Sequence, residues 1–436
     1  MGRGIQSLGV RQTRTVLALL GAVCLLSFVA RAAWLSEPCH APCRSASDHV
    51  LIFDERYYVN AARVITGIEP PAGAPYAGSP LGDDPNAEHP QLVKLIVAGS
   101  IELFGDGPFA WRLGSLLAGT LAILGMFALV RAAGGGAWPA LAAAALMAAD
   151  NLMIVHGRIA TLDIYVVAAM VWGAAFYLRG RPLVAGVVIG IGLCAKLVAG
   201  YVLIALLLLE LLRWLRARRR PVGPLARLAG CVTAAAGVFV GLLALCDRIA
   251  PPYDPVTGRL VAGGVFGHIG HMLSYAAQQT SPHGPRGIAS YPWGWLVDYK
   301  PIAYLNVNPA SPAPGLTNVH PAVHFLGLIS PPLLLLALPA LALAGRAAFR
   351  RRGVPGTDLP LLAVAWFAGT FLPFVVLSLF FSRTSYIYYM VIVMPGLYAA
   401  VAWLLPRLTR WPRLTLLWAL CVLAAAVIAY PFTPLP

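Results

Sequence analysis

The chain has 436 residues, 59% of them hydrophobic and only 11% charged, with a mean hydropathy of +0.75. Repeated apolar runs about 20 residues long match the thickness of a bilayer core and exclude a single soluble globule. A net charge of +15 would suggest nucleic acid in a soluble protein, but here the arginines cluster between apolar runs, as the positive-inside rule expects, and no nucleic-acid role is needed.

In chain order, the first run, Val16 to Ala30, follows Arg3, Arg11 and Arg14. It lacks a convincing small-residue cleavage site before Trp34, so it reads as a first transmembrane helix over about 15–33 and not as a signal peptide. The basic N-terminus is cytoplasmic on this reading, and residues 34–107 form a first external loop. That loop carries Phe53-Asp54-Glu55-Arg56-Tyr57-Tyr58, two adjacent carboxylates in a chain poor in charge. Apolar positions at helical spacing predict a helix from Glu55 to Ile65. An irregular segment rich in proline and glycine follows, then an interfacial helix from His89 to about Phe104.

Further spans are predicted over about 109–131, 137–149 and 164–178, with a short external turn from Asp150 to Asp163. The apolar run 183–215 is too long for one span, and Lys196 near its middle predicts two helices meeting at the outer face. A span over about 226–246 leads to a long external loop, 247–322. An eighth helix ends before Arg346, and three more follow over about 359–381, the residues before Arg407, and 414–430. The whole is one all-α transmembrane domain, residues 1–436, of about eleven helices.

This layout uses only lysine and arginine, yet it puts 15 of the 17 acidic residues, all but Glu210 and Asp358, and all nine histidines on the outer face. Groups able to do chemistry are therefore gathered on one side. The cations Lys94, Arg112, Arg158, Lys196 and Arg383 also fall there, away from the positive face, although any single one could simply snorkel at a helix end. With the carboxylate pair Asp54 and Glu55 and the histidines His89, His156, His320 and His324 they suit a reaction in which a carboxylate removes a proton while cations stabilise a departing anion. The anion most naturally delivered in the plane of a bilayer is the phosphate of a lipid carrier. A phosphate leaving group needs no second carboxyl to protonate it, so one base suffices for an inverting displacement of a sugar onto a hydroxyl.

Competing signals are weaker. His268/His271 and His320/His324 have helical spacing but no nearby acidic third ligand, and Cys39/Cys43 suit a small disulfide better than zinc. A divalent metal stays open as a cofactor. No P-loop, dinucleotide fingerprint or serine elbow is present, and there is no internal repeat of the kind that marks many transporters, although a multispan transporter remains an alternative class.

Phe53-Asp54-Glu55, His89-Pro90-Gln91-Leu92-Val93-Lys94, Trp111-Arg112-Leu113, Asp150-Asn151-Leu152, Arg158 through Asp163, and Ser290-Tyr291-Pro292-Trp293-Gly294-Trp295 resemble, in this order, the protein O-mannosyltransferase family. The resemblance implies a C-type glycosyltransferase fold, a polyprenyl-phosphate-mannose donor and a serine or threonine acceptor on exported protein. It also implies that Asp54 is the catalytic base beside Glu55, and that Arg112 meets the donor phosphate. His89, Lys94, Arg158, Asp163, Lys196 and Arg383 join the candidates for donor or substrate binding. Two departures stand out: the family's His-Pro-Pro-Leu reads His-Pro-Gln-Leu here, and the long loop lacks the soluble insert of eukaryotic members. A relative that glycosylates lipid or polysaccharide from the same kind of donor is the alternative.

Overall fold

The computed structural model describes residues 2–40, 43–217, 222–307, 316–317, 323–350 and 358–433. In chain order the helices are α1 (Gly2–Ala32), α2 (Glu55–Ile65), α3 (Leu92–Phe104), α4 (Pro108–Ala132), α5 (Ala137–Ala149), α6 (Asn151–His156), α7 (Asp163–Leu178), α8 (Pro182–Ala195), α9 (Tyr201–Ala217), α10 (Val222–Ile249), α11 (Gly264–Gln278), α12 (Pro292–Trp295), α13 (Pro331–Arg350), α14 (Leu359–Phe381), α15 (Met390–Leu404) and α16 (Pro412–Ile428). Among the described residues seven helices, α1, α4, α9, α10, α13, α14 and α15, are long and apolar enough to cross a membrane. The shorter apolar helices α5, α7, α8 and α16 complete the bundle. The chain is a multi-span membrane protein.

Every residue of α15 is buried, which makes it the central post of the bundle. By contrast α1 and α16 expose Leu25, Leu26, Leu416 and Leu417, as helices bathed in lipid do. Close packing of α8 on α10 depends on small residues. A Cβ at Gly186 would lie 2.3 Å from the Cys231 carbonyl oxygen, and one at Gly190 would lie 2.7 Å from that of Ala235.

Lys196 does divide the long apolar run. Its backbone is extended (φ −164°, ψ 139°) between α8 and a 3-10 turn, Leu197–Gly200, so the chain changes direction there and presents the lysine at one end of the bundle. At the opposite end of α9, Arg213 pairs with Glu210 at 2.8 Å and with Asp358 at 2.7 Å, joining the two acidic residues the sequence had set apart from the rest.

Three findings depart from expectation. The turn before Asp163 contains α6, and α13 runs on to Arg350, because an arginine within a helix can reach solvent without ending it. The third is that the fold is not purely helical. Antiparallel ribbons join β1 (Cys39–His40) to β5 (Leu316–Thr317), β2 (Tyr253–Asp254) to β3 (Arg259–Leu260), and β4 (Ile302–Val307) to β6 (Val323–Gly327). A register shift between Ala303 and Leu305 falls at Tyr304, where such irregularities can re-aim a side chain. His320 lies outside the described residues.

Candidate active site

A cavity of about 630 Å³ opens between α2, the loop before α3, the β4 ribbon and the segment 383–389. Its wall includes Asp54, Arg56, Glu88, His89, Lys196 and Arg383, together with seven tyrosines: Tyr57, Tyr58, Tyr275, Tyr304, Tyr386, Tyr388 and Tyr389. Two carboxylates, three permanent cations and many hydroxyls thus share one polar chamber.

The turn at Phe53 sets the geometry. Its backbone is left-handed (φ +55°), a conformation disfavoured for a bulky side chain unless the surroundings hold it. They do: the Phe53 ring stacks on Tyr304 at 4.2 Å and meets Tyr388 edge-on at 5.6 Å. Helix α2 begins immediately after, and successive side chains on a helix diverge by roughly 100°. Asp54 therefore faces the cavity, whereas Glu55 turns into the protein and is fully buried.

Glu55 accepts from Arg112 Nε at 2.8 Å and Nη2 at 2.7 Å, and from the backbone N–H groups of Ile52 and Ala160, both at 2.8 Å. Arg112 spends its other donors on the carbonyls of Leu35, Glu37 and Val50. Arg158 is likewise committed, to the carbonyls of Arg31, Ala33 and Trp34 at the end of α1. Lys94 is buried in an ion pair with Asp84 at 2.5 Å and donates to the carbonyls of Asn86 and His89, which braces the loop behind the cavity wall. Glu55, Lys94, Arg112 and Arg158 are therefore not on the wall. They form a charged frame beneath it.

Asp54, His89, Lys196 and Arg383 are brought together at the cavity. Burial raises the Asp54 carboxyl to about 6, a shift moderated by Lys196, reinforced by Asp163 and moderated again by Arg56. That places a proton acceptor near neutrality, where general bases work best. His89 is held well below the usual histidine range by burial and then by the charges of Lys196, Lys94 and Arg383. Asp163, at the start of α7, pairs with Lys196 at 2.8 Å. The ammonium also lies 5.5 Å from the Tyr388 ring centre and 5.8 Å from that of Tyr389. Arg383 follows a left-handed Ser382 (φ +49°), and its guanidinium donates to the Ala276 carbonyl. His156 sits one layer back, 3.0 Å from the Tyr304 hydroxyl.

Sequence reasoning did not single out Arg56, Glu88 or the tyrosines as wall residues. The run Tyr386-Ile387-Tyr388-Tyr389 was the available signal for the last group. Cys39 and Cys43 are joined in a disulfide. With His49 they are the one cluster of three potential metal-ligand residues within mutual reach among the described residues. His268 is engaged with Asp247 at 2.7 Å.

Alongside the cavity runs a nearly all-apolar groove of about 480 Å³ between α3, α4, α7 and α8, lined by Leu92, Ile96, Leu121, Trp172, Ile191 and Ala195 among others. Ala195 in the groove directly precedes Lys196 in the cavity. The arrangement offers a carboxylate, a cluster of cations and an apolar trough that adjoins them at Ala195–Lys196.

A family model described as dolichyl-phosphate-mannose-protein mannosyltransferase matches residues 88–242. A polyprenol-phosphate-mannose–protein mannosyltransferase of Corynebacterium glutamicum is 26% identical in an alignment of 406 residues that covers 79% of this chain and 75% of the relative. The chain is a glycosyltransferase related to the protein O-mannosyltransferases. Among solved structures, the S. cerevisiae protein O-mannosyltransferase Pmt1-Pmt2 complex bound to the sugar donor superposes with a TM-score of 0.67, covering 95% of this chain and 89% of that one at 12% identity. ArnT from Cupriavidus metallidurans bound to undecaprenyl phosphate gives 0.57, covering 94% and 64% at 21% identity. At those identities the likeness is one of fold, and it is the C-type glycosyltransferase fold expected from the motifs.

Proposed function

We propose that this transferase moves mannose, with inversion, from a polyprenyl-phosphate carrier to serine or threonine hydroxyls of exported protein. The observation that carries the reading is Asp54, a half-buried carboxylate near neutrality, in a chamber shared with Lys196, His89 and Arg383 and flanked by an apolar groove. The groove suits the polyprenyl chain, and the chamber suits the sugar phosphate. In the reaction the acceptor oxygen attacks the anomeric carbon as Asp54 takes the hydroxyl proton. The bond from that carbon to the phosphate oxygen breaks, and polyprenyl phosphate leaves with an additional negative charge, which Lys196 and Arg383 stabilise. Glu55 and Arg112 serve as the frame that aims Asp54. On this reading Arg112 acts on the donor through that frame, and Lys196, His89 and Arg383 meet the phosphate directly.

The reaction face is opposite the arginine clusters, outside the plasma membrane, with the N-terminus in the cytoplasm and residues 1–436 acting as one domain. The disulfide between Cys39 and Cys43 in the first loop supports that orientation, since disulfides persist in oxidising compartments. Purified protein in lipid nanodiscs should transfer label from polyprenyl-phosphate mannose to a Ser/Thr-rich peptide and yield the inverted anomer. Transfer to lipid or polysaccharide with none to peptide would replace the acceptor. Label from a nucleotide sugar alone would overturn the donor.

A further inference from the structure

The departure from His-Pro-Pro-Leu has a structural counterpart. Gln91, where the motif has its second proline, is fully buried and donates through Nε2 to Asp247 Oδ1 at 2.7 Å and to the Ala250 carbonyl at 3.3 Å. The same Asp247 oxygen lies 2.7 Å from His268 Nδ1, and the other nitrogen of this fully buried ring lies 2.9 Å from the Ala87 carbonyl. The path Ala87, His268, Asp247, Gln91 thus closes on itself, tying both ends of a short loop to α10 and α11. Only Glu88, His89 and Pro90 lie between the two anchors, and Glu88 and His89 both line the cavity. Proline at position 91 would remove one anchor, because it has no side-chain donor. The loop is tied to the end of α10 a second time upstream, where Asp84 N donates to the Pro251 carbonyl at 2.8 Å and Tyr253 N to the Asp84 carbonyl at 2.9 Å.

We infer that Gln91, Asp247 and His268 form a clamp that positions the Glu88-His89 wall against the lipid-phosphate donor. The inference rests on the proposed reaction for the identity of the donor, but the clamp is defined by contacts alone. None of the three residues lines the chamber, so each acts through the loop it holds. A shared oxygen at the centre makes the clamp a unit: loss of either Gln91 or His268 frees one end of the loop, and loss of the second adds little.

The test combines hydrogen–deuterium exchange over residues 84–91 with steady-state kinetics on the full-length enzyme in nanodiscs, using polyprenyl-phosphate mannose and a Ser/Thr peptide. Gln91→Ala and His268→Ala should each speed exchange in the loop and raise the donor KM about tenfold, as a displacement of an ångström or less can do. The acceptor KM should be unchanged and kcat altered less than about threefold. The double variant should be no worse than the poorer single one. Asp247→Asn, which keeps an acceptor oxygen, should lie nearer wild type than Asp247→Ala, and Gln91→Pro, which also lacks the side-chain donor, should behave like Gln91→Ala. Faster exchange with an unchanged donor KM, multiplicative losses in the double variant, or unchanged exchange would each overturn the inference. A wild-type enzyme that used no polyprenyl-phosphate sugar would sink the functional reading, and the exchange rates would still decide whether the clamp exists.

Discussion

Two cations of this protein, Arg112 and Lys196, each pair with a buried carboxylate at almost the same distance, 2.7 Å to Glu55 and 2.8 Å to Asp163. They differ in what the pairing leaves over. Arg112 divides its donors between both oxygens of Glu55 and three backbone carbonyls, and it faces no cavity. Lys196 borders the chamber, beside two tyrosine rings. The first arrangement consumes a charge to hold a loop on a helix, and the second sets a charge at the edge of the chamber. Position at a helix end does not distinguish them. The partner count and the border with the chamber do.

The largest expected effect breaks the frame. Arg112→Ala would leave Glu55 buried without its guanidinium, and removing one partner of such a pair costs about 3–5 kcal/mol. Thermal unfolding in detergent should show a marked drop in Tm and poor recovery, with turnover lost along with the fold. Arg112→Ala with an unchanged Tm and a selective loss of donor binding would return Arg112 to the phosphate.

A cavity-side change should do the opposite. If the proposed reaction holds, activity requires ionised Asp54, whose folded value is about 6, so kcat/KM should fall as pH drops through 6, by about tenfold per unit well below it. Lys196 lowers that value, so Lys196→Met should shift the acid limb upward and raise the donor KM by about tenfold or more. An acid limb that stays in place when the lysine is removed would separate it from Asp54. The smallest effect belongs to Arg56, which is exposed on the rim and leans on the Tyr57 hydroxyl at 2.9 Å. Arg56→Ala should change donor KM a few-fold at most and leave Tm in place, since exposed charge contacts contribute about 0–1 kcal/mol.

Much of this was legible in the residues, for identifiable reasons. Apolar runs of bilayer length marked the helices, and even the break at Lys196 showed as a charge where none is tolerated without purpose. The adjacent carboxylates Asp54 and Glu55 were visible as a pair. Their opposite fates were not, because these depend on a left-handed turn at Phe53 held by Tyr304 and Tyr388, both more than 200 positions away. The ribbons and α6 escaped for a similar reason, being short pieces fixed by long-range contacts such as Asn151 Nδ2 donating to the Leu326 carbonyl at 2.8 Å. That Lys94, Arg112 and Arg158 lie off the cavity wall was not legible, because a buried cation and one at a cavity edge are spelled the same way.

On the proposed reaction Asp54, and not its neighbour, removes the acceptor proton. Single-turnover transfer by Asp54→Asn and Glu55→Gln, each with polyprenyl-phosphate binding and Tm measured on the same sample, tests it most directly. Asp54→Asn should keep its Tm and its affinity for the lipid phosphate but slow transfer by about 100-fold or more, whereas Glu55→Gln should lose stability first. Near-normal transfer by a folded Asp54→Asn enzyme would assign the proton to another group.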